Sequence, residues 1–374
     1  MSKPRILVFA MNFSGNKIAG VESAIYDEYV ELSKKMNLIV LAKNAHDNLL
    51  ENIKIIRVPR NHPPYWTLKN TLSFTRKMLK VRNDFDVVYT RLMGYHLLIP
   101  AIIAKIFFRK KFVMFISGSM KVLPVKENWL NRPVIKIALR LADKICNHSQ
   151  ASLEDLELHV GKRISRQKII FLNHFVDSNK FRPDNSIQKK NHVICTGRID
   201  PIGNFEALIE SIPHIVKEIP ELKIKIIGPA VDKIQKIYLK KLNELIKTMK
   251  VEKHIEFTGS VPRECLVEWY NSALIFVSTK KAVGISTSIV EAMSCELPVI
   301  TTGKGSLPQS DNNLKNGILV EENPRKISEN IIKLLQNEEL RKQIGREARK
   351  TVIAKYDKDY FIGKLEQVLN QIAK

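Results

Sequence analysis

This 374-residue sequence has only four cysteines, and aromatic residues make up only 7% of it. The four cysteines stand at no paired spacing typical of a zinc site. Cys146 and Cys195 lie in apolar runs typical of strands, so we expect mostly buried, reduced thiols. The nine histidines show no pair at metal-ligand spacing either. These absences argue against a zinc-built or disulfide-rich fold, and we predict that neither a metal nor a cofactor is bound.

A long uncharged apolar run is also missing. The longest apolar stretch, residues 97–108, contains Lys105 and is shorter than the roughly 20 residues that a membrane-spanning helix needs. We expect it to form a core helix or a surface-docking helix. Residues 5–10 already look like a strand, so no secretion signal is expected at the start. A cytoplasmic location follows from this interpretation.

Acidic residues are outnumbered, with 38 against 61 basic residues, and residues 51–150 alone have 5 against 19. We expect a basic face on the first domain, suited to an anionic membrane, an anionic acceptor or nucleic acid. A lysine-rich composition without a binding role is the alternative. Nucleic acid is disfavoured because the basic stretches lack interleaved aromatic residues.

The segment 66–82 is the best candidate for contact with a membrane. It mixes apolar and basic residues in the pattern of an amphipathic helix, which suits an anionic membrane surface. A core helix with a solvated basic face is the second interpretation. The residues concerned are Trp66, Leu68, Leu72, Phe74 and Leu79 among Lys69, Arg76, Lys77, Lys80 and Arg82.

Short apolar, β-branched runs alternate with longer amphipathic segments along the whole chain. This alternation is typical of buried parallel strands joined by helices, and it restarts near Val193. We therefore predict an α/β protein with two doubly wound, Rossmann-like domains. The predicted strands are 6–9, 38–41, 53–58, 87–89, 112–116, 144–146 and 169–172, then 193–196, 224–227, 255–258, 275–277, 299–301 and 318–320.

The polar segment 177–191 contains a proline and has no apolar period, so it is the predicted connection between the domains. We place the first domain at residues 1–180, a linker at 181–191, the second domain at 192–355 and a final helix at 356–374. Ligands of open parallel sheets bind beyond the carboxyl ends of the strands. Functional residues are therefore expected on the loops that follow strands.

Two segments of the second domain have the residues of an anion site. Gly197 and Arg198 follow a predicted strand, and an arginine there can hold a phosphate through two hydrogen bonds. Segment 281–301 has a glycine loop and a helix predicted to begin near Thr287, whose first amides and positive dipole end would face a phosphate. Hydroxyl donors are supplied by Ser286, Thr287 and Ser288.

Glu291 lies one turn inside this predicted helix. Its carboxylate could accept hydrogen bonds from both hydroxyls of a ribose. The alternative is structural, because Ser288 and Glu291 also have the spacing of a helix capping box.

These motifs resemble those of the family-4 retaining glycosyltransferases of the GT-B fold, over nearly the whole chain. Gly197-Arg198, Phe257-Thr258-Gly259, Gly284 to Met293 and Asn316-Gly317 occur in the order and spacing of that family. In the first domain, Gly20 resembles the family's glycine loop near the donor diphosphate. The resemblance implies two Rossmann-like domains facing across a cleft, with the C-terminal helix returning to the first domain.

The resemblance also implies transfer of a hexose from a nucleotide diphosphate-sugar to a lipid-linked or polysaccharide acceptor, with retention of configuration and without a metal. The first domain would bind the acceptor, and its basic face would suit the cytoplasmic face of a membrane. The second domain would bind the donor. Catalytic residues stay unassigned, because the departing diphosphate can itself accept the acceptor's proton. The donor-binding residues implied are Gly20, Arg198, Gly284, Ser286, Thr287, Ser288 and Glu291.

Four positions depart from the family's pattern. Gly203 stands where a lysine pairs with Arg198, and losing such a preorganised cation typically costs about 100 to 1000-fold in rate. Val283 replaces the first glutamate of the pair whose second member is Glu291. The family's histidine and asparagine are replaced by Ser117 and His174.

Two hypotheses follow from these departures. Lys280 and Lys281 are candidate compensating cations, which would leave an active enzyme with an unusual donor or acceptor. Alternatively, the protein binds a glycan, a nucleotide or a partner glycosyltransferase without catalysis.

Overall fold

The computed structural model describes residues 3–13, 21–45, 52–59, 66–91, 94–116, 131–281, 284–303, 305–308 and 315–374. The chain forms two units. Met1–Asn173 and Phe361–Lys374 make up the first, and His174–Tyr360 make up the second. The chain therefore runs through the second unit once and returns to the first for its final helix.

The first unit is built on a seven-stranded parallel sheet in the order β3-β2-β1-β4-β5-β6-β7. Its strands are β1 (Arg5–Phe13), β2 (Asn37–Ala45), β3 (Ile53–Arg57), β4 (Val87–Thr90), β5 (Lys111–Ile116), β6 (Lys144–Asn147) and β7 (Ile169–Phe171). Its helices are α1 (Val21–Ser33), α2 (Trp66–Lys80), α3 (Tyr95–Phe107), α4 (Asn131–Leu141), α5 (Gln150–Val160) and, from Phe361 onward, α12 (Lys358–Ala373).

The second unit has a six-stranded parallel sheet in the order β10-β9-β8-β11-β12-β13. Its strands are β8 (His192–Thr196), β9 (Lys223–Ile227), β10 (Ile255–Gly259), β11 (Ile275–Ser278), β12 (Val299–Thr301) and β13 (Ile318–Leu319). Its helices are α6 (Phe205–Glu218), α7 (Lys233–Met249), α8 (Leu266–Ser272), α9 (Thr287–Ser294), α10 (Pro324–Gln336) and α11 (Glu338–Lys355).

The two predicted parallel sheets are confirmed, and each predicted strand overlaps an observed one. Apolar runs without polar alternation predict strands covered on both faces. Strand β8 shows this directly, because Val193 and Cys195 join one hydrophobic cluster while Ile194, between them, joins another on the opposite face.

Helix boundaries follow local capping chemistry. Asn323 accepts hydrogen bonds from the amides of Arg325 (2.9 Å) and Lys326 (3.3 Å), and Pro324 occupies the first helical position of α10. A proline fits there because that position needs no amide donor and its backbone angle is already helical. Side-chain caps also mark the starts of α5, α7 and α11.

The segment predicted as a linker is hydrogen-bonded within the second unit. The Asp184 amide donates to Asn271 Oδ1 at 2.8 Å, and Asn271 Nδ2 donates to the Arg182 carbonyl at 3.0 Å. The Lys190 amide donates to the Ser272 carbonyl at 2.8 Å. These bonds fasten residues 181–191 along α8.

Helix α3 resolves the two interpretations of the longest apolar run. Leu97, Leu98 and Ala101 are buried, whereas Ile106 and Phe107 at its end are exposed, so it is a core helix with an exposed tip. Within the part of the chain that the structure describes, no helix combines the length and apolarity required to cross a bilayer. Three of the four cysteines are buried, and Cys265 is exposed.

A buried charge pair anchors the final helix in the first unit. Arg91, at the end of β4, contacts Glu28 of α1, and both side chains are almost fully buried. Tyr89 donates a hydrogen bond to Glu28 at 2.6 Å. The Arg91 guanidinium lies 4.7 Å from the ring centre of Phe115 and 5.8 Å from that of Phe361 in α12. This stacking makes α12 part of the core of the first unit.

Three loops of the second unit meet backbone to backbone. The Gly197 amide donates to the Ile227 carbonyl at 3.0 Å, and the Gly228 amide donates to the Gly259 carbonyl at 2.9 Å. A Cβ atom on Gly228 would lie 1.8 Å from the Gly197 carbonyl oxygen. Only glycine at position 228 allows the loops after β8, β9 and β10 to pack this closely.

Replacing Gly228 with alanine should therefore lower the free energy of unfolding of the second unit by about 1–3 kcal/mol, because backbone must shift to admit the methyl group. Gly363→Ala is the matched control, since a Cβ atom there meets nothing within 4 Å. Alanine in that helix should raise stability by about 0.5–1 kcal/mol. Urea denaturation of both variants measures the difference, and equal midpoints would contradict the close-packing argument.

Candidate functional site

A pocket opens at the carboxyl ends of β8 and β11, the two neighbouring strands at which the strand order of the second sheet reverses. Open α/β sheets bind ligands at this switch point, because the loops of the two strands turn to opposite sides and leave a crevice. The empty space at the pocket, including part of the open solvent at its mouth, is about 470 Å³. It is lined by Cys195, Thr196, Gly197, Arg198, Asp200, Gly203, Phe205, Ser278, Thr279, Lys280 and Ser288.

Two cations and one carboxylate line this pocket. Arg198 is largely exposed, and its Nε lies 3.6 Å from Asp200 Oδ2. Asp200 Oδ1 also accepts a hydrogen bond from the Gly203 amide at 3.2 Å, so this carboxylate is fixed by the turn that it caps. Lys280, which comes after β11, also lines the pocket, and desolvation lowers its pKa although Asp200 partly offsets this. The pocket is suited to an anion.

The space beside Gly203 is filled by an aromatic ring. A Cβ atom at this position would lie 2.3 Å from the ring of Phe205. The Thr279 hydroxyl donates to the Gly203 carbonyl at 2.9 Å, and the Lys281 amide donates to the Ile202 carbonyl at 2.9 Å. The loops after β8 and β11 are thus tied together at Gly203. The Phe205 ring lines the pocket beside it.

The two candidate compensating lysines point to different places. Lys280 lines the pocket with Arg198. Lys281 Nζ instead forms an ion pair with Glu322 Oε1 at 3.0 Å. Only Lys280 is therefore placed beside Arg198.

Helix α9 begins at Thr287, as the sequence predicted, and directs its first turn to this edge of the sheet. Ser286 is the N-cap residue, but its hydroxyl accepts no hydrogen bond from the first turn and lies 3.0 Å from Ser288 Oγ. The first amides of a helix that lacks a side-chain cap are left for water or a ligand. Gly284 has φ of 95°, a left-handed conformation that favours glycine.

The capping-box interpretation of Glu291 is wrong. A capping box needs the glutamate at the third helical position, and Glu291 stands two residues beyond it because α9 begins at Thr287. Its carboxylate points instead to two other elements. Tyr270 of α8 donates to Glu291 Oε2 at 3.0 Å, and Arg263 Nη2 lies 3.4 Å from Oε1.

This carboxylate is joined to the pocket through Tyr270. The Tyr270 proton goes to Glu291, so its oxygen accepts from Thr196 Oγ1, 3.3 Å away on the pocket wall. Glu291 is 4% exposed. Burial raises its pKa, against the opposing effects of Arg263 and Tyr270. The residue implied as a ribose ligand thus lies behind the wall of the pocket, with both oxygens engaged.

Several predicted residues cannot be placed in the site. Gly20, Ser117 and Val283 lie outside the described residues. His174 begins the second unit and is partly buried.

Sequence reasoning missed several residues of this arrangement. Ser278 ends β11 and Thr279 directly follows it, while Asp200 lies in the loop after β8, and polar residues at the carboxyl end of a strand are a signal that would have marked them. Arg263 and Tyr270 gave no such signal, because a surface arginine and an aromatic residue in a short helix are common features.

The fold and the pocket together define a class: two doubly wound parallel sheets in tandem, with a crevice lined by Arg198 and Lys280 in the second. This is the GT-B fold, and solved structures share it. HepE from Anabaena, determined in complex with UDP, superposes with a TM-score of 0.80 over 98% of this chain and 100% of that one, at 18% identity.

Sequence comparison then matches the second unit to a family. Residues 177–351, which span most of that unit, match the family model described as Glycosyl transferases group 1. Sulfoquinovosyl transferase SQD2 of Arabidopsis thaliana is 25% identical over 385 residues, covering 96% of this chain and 72% of that protein. Spore coat protein SA of Bacillus subtilis is 27% identical over 176 residues. This match covers 46% of this chain and about half (46%) of the length of that protein.

The Tyr270 hydrogen bonds lead to a test of Glu291. Burial raises the pKa of Glu291 in the folded state above its unfolded value. Ionisation of Glu291 therefore lowers the free energy of unfolding, and this loss grows as the pH rises through the folded-state pKa. Tyr270→Phe removes a hydrogen bond to the carboxylate and should lower the free energy of unfolding by about 1–3 kcal/mol near neutral pH, and by less in acid. Urea denaturation across pH measures this.

The control for this test is the same substitution in a Glu291→Gln background. The amide of glutamine does not titrate, so the pH dependence of the Tyr270→Phe effect should disappear there. Lys180 and Arg263 also act on the Glu291 carboxylate and are unchanged in both backgrounds. A loss that is the same at every pH would show that Tyr270 acts only through packing.

Proposed function

We propose that this protein transfers a hexose from a nucleotide diphosphate-sugar to a lipid-linked or polysaccharide acceptor, with retention of configuration and without a metal. The observation that carries the proposal is the pocket at the β8/β11 switch point, where Arg198 and Lys280 stand beside the uncapped start of α9. The match to the group 1 family model and the UDP found in HepE support a nucleotide donor.

In this proposal the diphosphate lies between Arg198, Lys280 and the first amides of α9. Arginine can hold a phosphate through two parallel hydrogen bonds, and the helix start adds amide donors and a positive dipole end. Ser286, Thr287 and Ser288 supply hydroxyls there, and Gly284 allows the loop to approach. Developing negative charge on the departing diphosphate would be stabilised by the same groups.

Glu291 is proposed to hold the ribose. Its contact with Arg263 is long, at 3.4 Å, whereas its bond from Tyr270 is 3.0 Å. A ribose hydroxyl that replaces the Arg263 contact would leave the Tyr270 bond in place. This step requires Glu291 to become accessible from the pocket when the donor binds.

A panel of UDP-, GDP- and ADP-sugars tests donor binding by thermal shift. A donor at 100 times its Kd should stabilise the protein by about 2.7 kcal/mol. Arg198→Ala and Lys280→Ala should each weaken binding about 10- to 100-fold, because each removes a charged hydrogen bond to phosphate. Lys281→Ala is the matched control, since the adjacent lysine pairs with Glu322.

Each outcome of this panel separates the hypotheses. No stabilisation by any donor would refute the donor site, and equal losses for the two lysines would refute the role of Lys280. If a donor binds but no radiolabelled sugar is transferred to lipid or glycan extracts, the non-catalytic alternative is favoured. The presence of Gly203 where the family has a lysine is the reason for considering that alternative. The anomeric configuration of a product, read by NMR, tests retention.

The acceptor side is proposed to involve an anionic membrane contact by α2 of the first unit. Leu68 and Leu72 are each 57% exposed, and Arg76 and Lys80 follow at the same four-residue spacing on an exposed face. Phe74 and Met78 on the other face are buried. Helix α2 is therefore a core helix that also presents leucines and basic residues to solvent, a combination suited to a membrane interface.

Vesicle sedimentation tests this contact. Leu68→Ser with Leu72→Ser should lower binding to vesicles containing phosphatidylglycerol about tenfold, since both apolar side chains would leave the interface. Leu158→Ser is the matched control, because Leu158 is 81% exposed on α5. Unchanged binding of the double variant would contradict a role for α2.

A further inference from the structure

The start of α7 in the second unit presents an apolar stripe to solvent. Val231, Ile234 and Ile237 are 71%, 67% and 61% exposed. Ile234 and Ile237 are neighbours because helical residues three apart share a face, and Val231 directly precedes the N-cap residue Asp232. Isolated exposed aliphatic residues are ordinary, but these three together form an apolar surface at the start of one helix. We call this surface the α7 stripe.

The stripe is held rigidly. Asp232 Oδ1 accepts from the Gln235 amide at 2.8 Å, and Gln235 Oε1 accepts from the Val231 amide at 2.7 Å, which is a variant of the capping box in which the return bond goes to the amide before the cap. In many helices with this box the residue before the cap packs on the fourth helical residue. That residue here is the exposed Lys236, and Val231 stays open to solvent.

Charge around the α7 stripe identifies the kind of partner. Lys233, Lys236 and Lys240 are exposed on the same part of the helix, whereas Glu244 lies more than one turn beyond Ile237. A partner must therefore be anionic and must also accept apolar side chains. The surface of three aliphatic side chains is much smaller than the area of about 800 Å² that each partner of a stable protein interface buries. A membrane has no such minimum, because lysines add electrostatic attraction to shallow apolar insertion.

The α7 stripe is also fixed to the pocket. Only Pro229 and Ala230 separate Val231 from Gly228, whose backbone contacts Gly197 on the pocket wall. The Pro229 carbonyl accepts from the Ile199 amide at 2.9 Å. A surface bound by the stripe would lie at the same edge of the second sheet as the pocket.

We propose that the α7 stripe docks the second unit on an anionic lipid surface, at the edge where the pocket opens. This is a contact separate from that of α2, and it does not depend on sugar transfer. Docking there brings the rim of the pocket to the lipid surface, where a lipid-borne acceptor would be found.

Vesicle sedimentation without any donor tests the proposal, with phosphatidylglycerol in phosphatidylcholine as the probe and pure phosphatidylcholine as the neutral comparison. Ile234→Ser with Ile237→Ser should lower binding to anionic vesicles about tenfold or more. Lys233→Gln with Lys236→Gln should lower it and reduce its dependence on salt. Ile353→Ser, at a 51% exposed position of α11, and Lys247→Gln, at the far end of α7, should bind as the wild type does.

Three results would overturn the proposal. If both double variants bind vesicles as the wild type does, only the first unit is left as a membrane contact. If the variants lose binding equally on neutral vesicles, the charge of the stripe is irrelevant. If the Ile353 and Lys247 controls lose vesicle binding equally, the position of the stripe is irrelevant. Conversion of an oligomer to a monomer by the isoleucine variants in analytical ultracentrifugation, with vesicle binding unchanged, would assign the stripe to self-association. Unaltered melting temperatures confirm that the exposed substitutions leave the fold intact.

Discussion

The backbone contact between Gly197 and Gly228 is the constraint on which the rest of the candidate site depends. It joins the loop that carries Arg198 to the loop that leads into α7, and Gly228 in turn bonds to Gly259 at the end of the next strand. No side chain fits between the two loops. The pocket wall, the position of the arginine and the start of α7 are consequently set by one close approach of main chain.

Much of the fold could be predicted because buried parallel strands leave a strong trace in sequence. Both faces of such a strand are covered, so runs such as 193–196 and 275–277 contain almost no polar residues, and the intervening helices are longer and amphipathic. The start of α9 at Thr287 was predictable for the same reason, since local chemistry of the turn decides it. The order of the strands, in contrast, came from the expectation of a doubly wound sheet and not from any residue.

The parts of the site that could not be predicted depend on partners distant in sequence. Glu291 meets Tyr270 and Arg263, which are 21 and 28 residues away, and spacing within one helix suggested a capping box instead. Lys280 and Lys281 are adjacent in sequence, yet only their side-chain directions distinguish a pocket residue from one paired with Glu322. Gly203 appeared to be a simple loss, whereas the ring of Phe205 occupies the space beside it.

The return of the chain through α12 has a consequence for biosynthesis. Phe361, Leu365 and Leu369 of this helix are buried in the first unit, and Phe361 stacks on Arg91. A ribosome makes these residues only after the whole of the second unit, and domains generally fold as units as they emerge. The second unit can therefore reach its native state while the first still lacks a piece of its core. The unit that begins first in the sequence is the one that is completed last.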